Sequence, residues 1–299
     1  MKKPEINRIL IPLDFSETGQ VALDHGANMA SLFKADLYIL HVIELLEYPY
    51  VVYDPSLMVN FDTSELEKNI VSDMNERARK VQEKYNIKVT PIVCRGRVAN
   101  ELAETAEENK IDLIVMGTHG TQGFRELFIG SNAHKTVTAS PCPVITIQTH
   151  ATQIGFKDIV VPIDNSPHSR QKVDHVIMIA KAYGAFVRVL GLIQEEEKEN
   201  ENKLLIKIES VEHALEQNGI DYNRTIVYGK NIAVETMKFA KKVQADLIVI
   251  MTDHESELTG MFLGVFAKQI INHSDIPVLS IRPAEGPYET MSVGSNPYN

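Results

Sequence analysis

The sequence predicts an α/β protein made of two tandem copies of a parallel-sheet domain. Three observations carry this. Short apolar runs alternate with longer amphipathic stretches, so each strand can be joined to the next by a helical crossover. An apolar run closing on Pro-x-Asp occurs twice, as Ile9-Leu10-Ile11-Pro12-Leu13-Asp14 and Ile159-Val160-Val161-Pro162-Ile163-Asp164. A Ser-x-x-Pro-Val segment also occurs twice, as Ser140-Pro141-Cys142-Pro143-Val144 and Ser274-Asp275-Ile276-Pro277-Val278. A repeat of whole-domain size means duplication rather than a solenoid.

The elements of the first copy follow in order. Arg8 to Asp14 is an apolar strand that stops at a polar turn. Ser16-Glu17-Thr18 opens an amphipathic helix reaching Phe33, with Val21, Ala22, Ala27, Met29, Ala30 and Phe33 at broadly helical spacing. Asp36 to Val42 is a second strand, followed by an irregular Tyr-, Pro- and Val-rich stretch from Glu44 to Asp62. Ser64 to Tyr85 is a long charged helix, Lys88 to Cys94 a third strand, Val98 to Glu108 a helix and Asp112 to Met116 a fourth strand. Ser131 to Ala139 is a short helix, and Cys142 to Ile147 the fifth strand.

The second copy repeats this order. Ala245-Asp246-Leu247-Ile248-Val249-Ile250 answers Ile111-Asp112-Leu113-Ile114-Val115-Met116. Asp164 follows Asp14 by 150 residues, while Pro277 follows Pro143 by only 134. The second copy is therefore shorter, and the place expected is after its second strand, where Gln194 to Lys203 is short and acidic. The domains read as 1–150 and 154–283, with a mobile tail at 284–299 rich in Gly, Pro, Ser and Asn.

Composition narrows the function. The 299 residues are 44% hydrophobic and 23% charged, as in a globular protein. A net charge of −10 argues against non-specific nucleic-acid binding, which runs on basic patches. No apolar run reaches membrane-spanning length, and Met1-Lys2-Lys3-Pro4-Glu5 lacks a signal-peptide core, so the expected location is the cytoplasm. Cys94 and Cys142 are expected as buried free thiols.

The stretch that points to chemistry runs from Leu113 to Ala139. A buried strand ends on Gly117, Gly120 follows three residues later, and Gly130 arrives ten residues after that, at the start of the short helix. Glycines allow close backbone approach, and a helix N-terminus offers free N–H groups to negative charge. Ser131 stands where it can cap that helix or bind an anion. The arrangement is a phosphate cradle, and it has neither the Gly-Lys-Ser/Thr of a Walker loop nor a first-strand GxGxxG.

Gly117-x2-Gly120-x9-Gly130-Ser131 resembles the nucleotide-binding signature of universal stress proteins. The Pro12-Leu13-Asp14 and Leu40-His41-Val42 strand ends and the closing Ser140 to Val144 segment support the resemblance, which covers nearly the whole chain as a tandem pair. It implies, for each copy, an open five-stranded parallel sheet of the Rossmann-like, adenine nucleotide alpha hydrolase-like kind, with helices on both faces. It further implies ATP across the carboxyl ends of strands one and four, with Mg²⁺ held through the phosphates. Pro12 and Asp14 would meet the adenosine, Val42 the adenine edge, and Met116 and Gly117 the ribose side. Gly120, Gly130, Ser131 and Asn132 would hold the phosphates. The implied role is a nucleotide-dependent regulator of the stress response, with protein partners in stress signalling. The alternatives are a slow ATPase and a scaffold with a vestigial pocket. In this family fifth-strand edges pair, which implies an internal pseudo-dimer and leaves homodimerisation open.

The second copy departs from the signature. Met251, His254 and Val265 replace Gly117, Gly120 and Ser131, and Asp253 and Glu255 add negative charge. Side chains there would crowd a phosphate and carboxylates would repel it, so this copy is expected to bind ATP weakly or not at all. His119 and Arg125 lie in the first copy's loop, where a solvated histidine and an ion pair with Glu126 compete with roles on phosphate. Glu195, Glu196, Glu197, Glu199 and Glu201 form a solvated acidic run rather than a metal site. The apolar stretch Tyr48 to Tyr53 suits either a pocket cover or a partner contact.

Overall fold

Alternating apolar side chains along the strands dictate a sheet covered on both faces. In the first strand Ile9 and Ile11 join one buried cluster while Leu10 joins another, and all three are fully buried. A computed structural model describes residues 3–44, 64–118, 130–194, 200–252 and 263–283. The N-terminal copy runs β1 (Arg8–Pro12), α1 (Glu17–Phe33), β2 (Asp36–Glu44), α2 (Ser64–Tyr85), β3 (Val89–Gly96), α3 (Val98–Glu108), β4 (Leu113–Gly117), α4 (Ser131–Ala139) and β5 (Val144–Ile147). The C-terminal copy runs β6 (Asp158–Ile163), α5 (Val173–Tyr183), β7 (Phe186–Gln194), α6 (Glu201–Gln217), β8 (Tyr222–Gly229), α7 (Ile232–Lys242), β9 (Leu247–Met251), α8 (Val265–His273) and β10 (Val278–Ile281).

The strands form one sheet in the order β3-β2-β1-β4-β5-β10-β9-β6-β7-β8. Within each copy every pairing is parallel. The copies meet through β5 and β10, which pair antiparallel with Leu279 opposite Ile145. The two five-stranded sheets therefore share an edge. Helices α1, α2, α5 and α6 bury their apolar faces in one cluster, and α3, α4, α7 and α8 in the other. Both clusters cross the junction between copies, so each face carries one apolar layer.

The shortening of the second copy falls where its sequence places it. Phe186 opens β7 150 residues after Asp36 opens β2, but Tyr222 opens β8 only 133 after Val89 opens β3. Residues 45–63, 119–129, 195–199, 253–262 and 284–299 lie outside the described residues. The readings placed on the Tyr48 to Tyr53 stretch, the acidic run from Glu195 to Glu199, Gly120, His119, Arg125, Asp253 and the tail therefore have no structural counterpart here.

The start of α1 is written in its sequence. Ser16 is the N-cap, and its hydroxyl accepts the Gly19 amide at 3.0 Å. In the second copy Pro167 follows Ser166, and regular helix starts only at Val173. The loosened turn is held differently. Asp164 N donates to Ser169 Oγ at 3.0 Å, and Lys207 Nζ donates to the Ser166 carbonyl at 2.8 Å.

Candidate functional site

The sheet order puts a topological switch point between β1 and β4. The chain leaves β1 toward β2 on one side, and β5 lies beyond β4 on the other. In open α/β sheets the crevice outside the carboxyl ends of such strands is where ligands sit. Register aligns Leu10 with Ile114, so both strands end at the same level, one in Pro12-Leu13-Asp14 and the other in Met116-Gly117-Thr118.

Asp14 is fixed by its own turn. Its carboxylate accepts the Ser16 amide at 3.0 Å and the Ser16 hydroxyl at 2.5 Å. Ser16 thus serves two duties, capping α1 and holding Asp14. Pro12 sits opposite Leu40 in the β1–β2 ladder, and Leu13 N donates to the Leu40 carbonyl at 2.8 Å. His41, next along β2, is packed rather than free, with Nδ1 at 2.6 Å from the Leu13 carbonyl. Val42 follows it, half-buried and opposite Cys94.

Gly117 lies against α1. A Cβ there would fall 2.7 Å from Thr18 Cγ2, closer than carbon atoms approach. Thr18 itself is buried. Beyond Gly117, Thr118 is anchored to β5 by its amide, which donates to the Ile147 carbonyl at 2.9 Å. The Gly130 amide then donates to the Thr118 carbonyl at 2.7 Å. This closes the neck of the 119–129 segment and aims α4 at the crevice. A Cβ at Gly130 would stand 3.0 Å from that same carbonyl, so the neck is tight against backbone. Gly130, not Ser131, is the N-cap of α4, with φ −59° and ψ 147° and no side-chain cap. Ser131 is the first helical residue and is exposed, and Asn132 is half-buried beside it. The first intrahelical bond, His134 N to Gly130 O at 3.2 Å, leaves the amides of Ser131, Asn132 and Ala133 without helical acceptors.

Three neighbours of the site carried no sequence signal as site residues. Thr18 sets how close Gly117 must come to α1. Ser16 fixes Asp14. Phe15 has a left-handed backbone (φ 62°), with its ring 4.6 Å from that of His41 and under the Arg77 guanidinium at 5.0 Å. Among the described residues no group of three or more His, Cys, Asp or Glu side chains could hold a metal. The donors gathered here are amides and hydroxyls, which suit anionic oxygen and not a directly ligated cation. A separate groove of ≈ 410 Å³ between α1 and α2 is lined only by helical residues, among them Gln20, Asp24, Arg77 and Lys84, and the last pairs with Asp24 at 3.2 Å.

The fold agrees with comparisons to known proteins. The universal stress protein family profile matches residues 5–148 and again 155–282. The chain belongs to the universal stress protein family. A universal stress protein of Methanocaldococcus jannaschii is 31% identical over 141 residues, covering 47% of this chain and 81% of the relative. One from Bacillus subtilis is 29% identical over 147 residues, covering 48% of this chain and 99% of the relative. The crystal structure of an Archaeoglobus fulgidus universal stress protein superposes with a TM-score of 0.72 at 18% identity, covering 94% of this chain and 99% of that one, and so shares the tandem fold.

The second universal stress domain keeps the scaffold of the site and changes its surface. Thr252 N donates to Ile281 O at 2.8 Å, as Thr118 does to Ile147, and Gly264 caps α8 with nearly the angles of Gly130. Asp164 accepts from Ser166 as Asp14 does from Ser16. At the helix start, however, Val265 is 69% exposed where the first domain has Ser131, and Met251 stands where it has Gly117. Lys207 leans over the end of β6, and burial pushes its ammonium below the ordinary lysine range, with Arg170 adding to the effect and Asp164 opposing it.

Proposed function

We propose that the N-terminal domain, residues 1–150, binds ATP and that occupancy of this site regulates a stress response. The observation that carries the proposal is the closed neck between Thr118 and Gly130. It brings the start of α4, with three amides that have no helical acceptor and the exposed Ser131, to the carboxyl end of β4, beside the β1 strand end that carries Asp14. Phosphates would lie on Gly120, Gly130, Ser131 and Asn132, with the divalent ion held through them. The ribose would lie between Asp14 and the Met116-Gly117 strand end, and the adenine edge would lie beside Val42 and Pro12. Positive potential at the α4 N-terminus favours the negative charge.

The C-terminal domain, residues 154–283, is the non-nucleotide partner in this reading, because Met251 and Val265 replace a glycine and a hydroxyl at the cradle. A reducing, cytoplasmic setting is supported by two unpaired thiols, with burial holding Cys94 up to about 12 and Cys142 up to about 11. Among the described residues no helix is long and apolar enough to cross a membrane.

The test is nucleotide content. Denaturing freshly purified protein should release one adenine nucleotide per chain. A Gly120→Val, Ser131→Ala variant of unchanged melting temperature should release none. Two nucleotides per chain would show that the second domain binds as well. No release, together with no binding of added ATP and Mg²⁺, would overturn the proposal.

A further inference from the structure

The two domains are tied together on the α1–α5 face by a closed ring of contacts that starts and ends on α1. His25 of α1 is 2% exposed, and its Nε2 lies 2.7 Å from the carbonyl oxygen of Ala151 in the linker. A carbonyl only accepts, so Nε2 carries the proton and Nδ1 is bare. The His25 ring stacks on Phe156, at 5.6 Å and 22° between planes, and Phe156 is fully buried. Phe156 meets the Tyr183 ring of α5 edge-on at 5.4 Å. Tyr183 then donates its hydroxyl to Asn28 Oδ1, back on α1, at 3.0 Å.

His25 Nδ1 is buried and has no hydrogen-bond partner among the described residues. The charged groups around it are already engaged. Asp24, the neighbour on α1, takes Lys84 Nζ at 3.2 Å and the Tyr85 hydroxyl at 3.3 Å. Asp246, just before β9, accepts the backbone amides of Lys157 and Asp158 at 2.9 and 3.0 Å. Lys157 donates its ammonium to the Tyr183 carbonyl. Tyr183 faces the ring from α5 with a hydroxyl kept neutral by burial. A second proton on the imidazole would therefore add a charge and an unaccepted N–H to an aromatic, water-poor contact.

We propose that His25 is a proton-sensitive latch between the two domains, its protonation at Nδ1 releasing the linker from α1. Burial lowers the affinity of the folded-state ring for a proton, while Asp24, Asp246 and the Ala151 hydrogen bond only partly oppose this. The sign follows from linkage. The released state binds a proton that the latched state does not, so latching is fully present above the ordinary histidine range and is lost as pH falls through it. The latch does not depend on nucleotide. His175 occupies the equivalent position of α5, 150 residues on, and its Nδ1 is also buried with no partner among the described residues. It is the natural control.

Hydrogen exchange of the full chain, read at Ala151, Thr152 and Phe156 between pH 7.5 and pH 5, tests the proposal after correction for intrinsic exchange. The opening equilibrium should rise by up to about tenfold per pH unit below ~6.5 in the wild type. His25→Gln, which can still donate to Ala151 but cannot titrate, should flatten that dependence. His175→Gln should leave it in place. Equal pH dependence in wild type and His25→Gln, or none in the wild type, would overturn the latch. Should His25→Gln fail to fold, an NMR titration of the wild-type His25 ring decides. A midpoint below that of free histidine, coinciding with shifts of Tyr183, supports the latch, and one at or above it overturns it.

Discussion

Ser16 shows how one hydroxyl can serve both the fold and the site. It accepts the Gly19 amide and donates to Asp14, so Ser16→Ala removes a cap and leaves the Asp14 carboxylate short of a donor. Loss of the cap should cost about 1 kcal/mol in urea unfolding, and adenine nucleotide should bind more weakly because Asp14 is no longer held. Gly117 makes the complementary point. A methyl group there meets Thr18 Cγ2 at 2.7 Å, and Gly117→Ala should cost roughly 1–3 kcal/mol. Adding Thr18→Ser, which removes the offending methyl, should recover much of that loss, and additive costs in the double variant would show that the contact is not the cause. Gly117 and Gly130 stand out in the sequence as candidate site residues by their spacing, and Asp14 through the family resemblance. Thr18 and Phe15 do not, since their roles arise from the packing of α1 and from a left-handed backbone that no local pattern announces.

At the scale of elements, α1 rests on β1 so closely that a side chain at Gly26 would have to displace Ile11. A Cβ would run into Ile11 Cδ1. In an exposed helix, glycine to alanine stabilises by about 1 kcal/mol, through backbone entropy. Here the sign should reverse, and Gly26→Ala should lower the melting temperature. A rise would mean that Ile11 repacks without cost. Apolar periodicity had already marked most elements, and the bounds of α2, α3 and α4 match their sequence expectation. The start of α5 was less legible. Ser166 repeats Ser16, but Pro167 and the Asp164–Ser169 bond postpone the helix to Val173. The cap of α4 also moved, from Ser131 to Gly130, because the neck is closed by a backbone amide rather than by a side chain.

For the whole molecule, the question is whether two domains behave as one. Both apolar layers run through β5 and β10, and Phe156 is fully buried between α1 and α5. Phe156→Ala should cost about 3–5 kcal/mol at the junction and split a single thermal unfolding transition into two. One transition in the variant would mean that the β5–β10 ladder alone couples the domains. The duplication was legible from recurring Pro-x-Asp and Pro-Val segments. Which strands would meet came from the family resemblance, because β5 and β10 carry no residue pattern that distinguishes a joined edge from a free one.

The antiparallel sense of the β5–β10 pairing reverses the polarity of the sheet halfway across. The amino ends of one domain's strands lie on the same rim as the carboxyl ends of the other's. The two crevices therefore open toward opposite poles of the molecule. A change at one crevice reaches the other pole through how the two halves lean on each other.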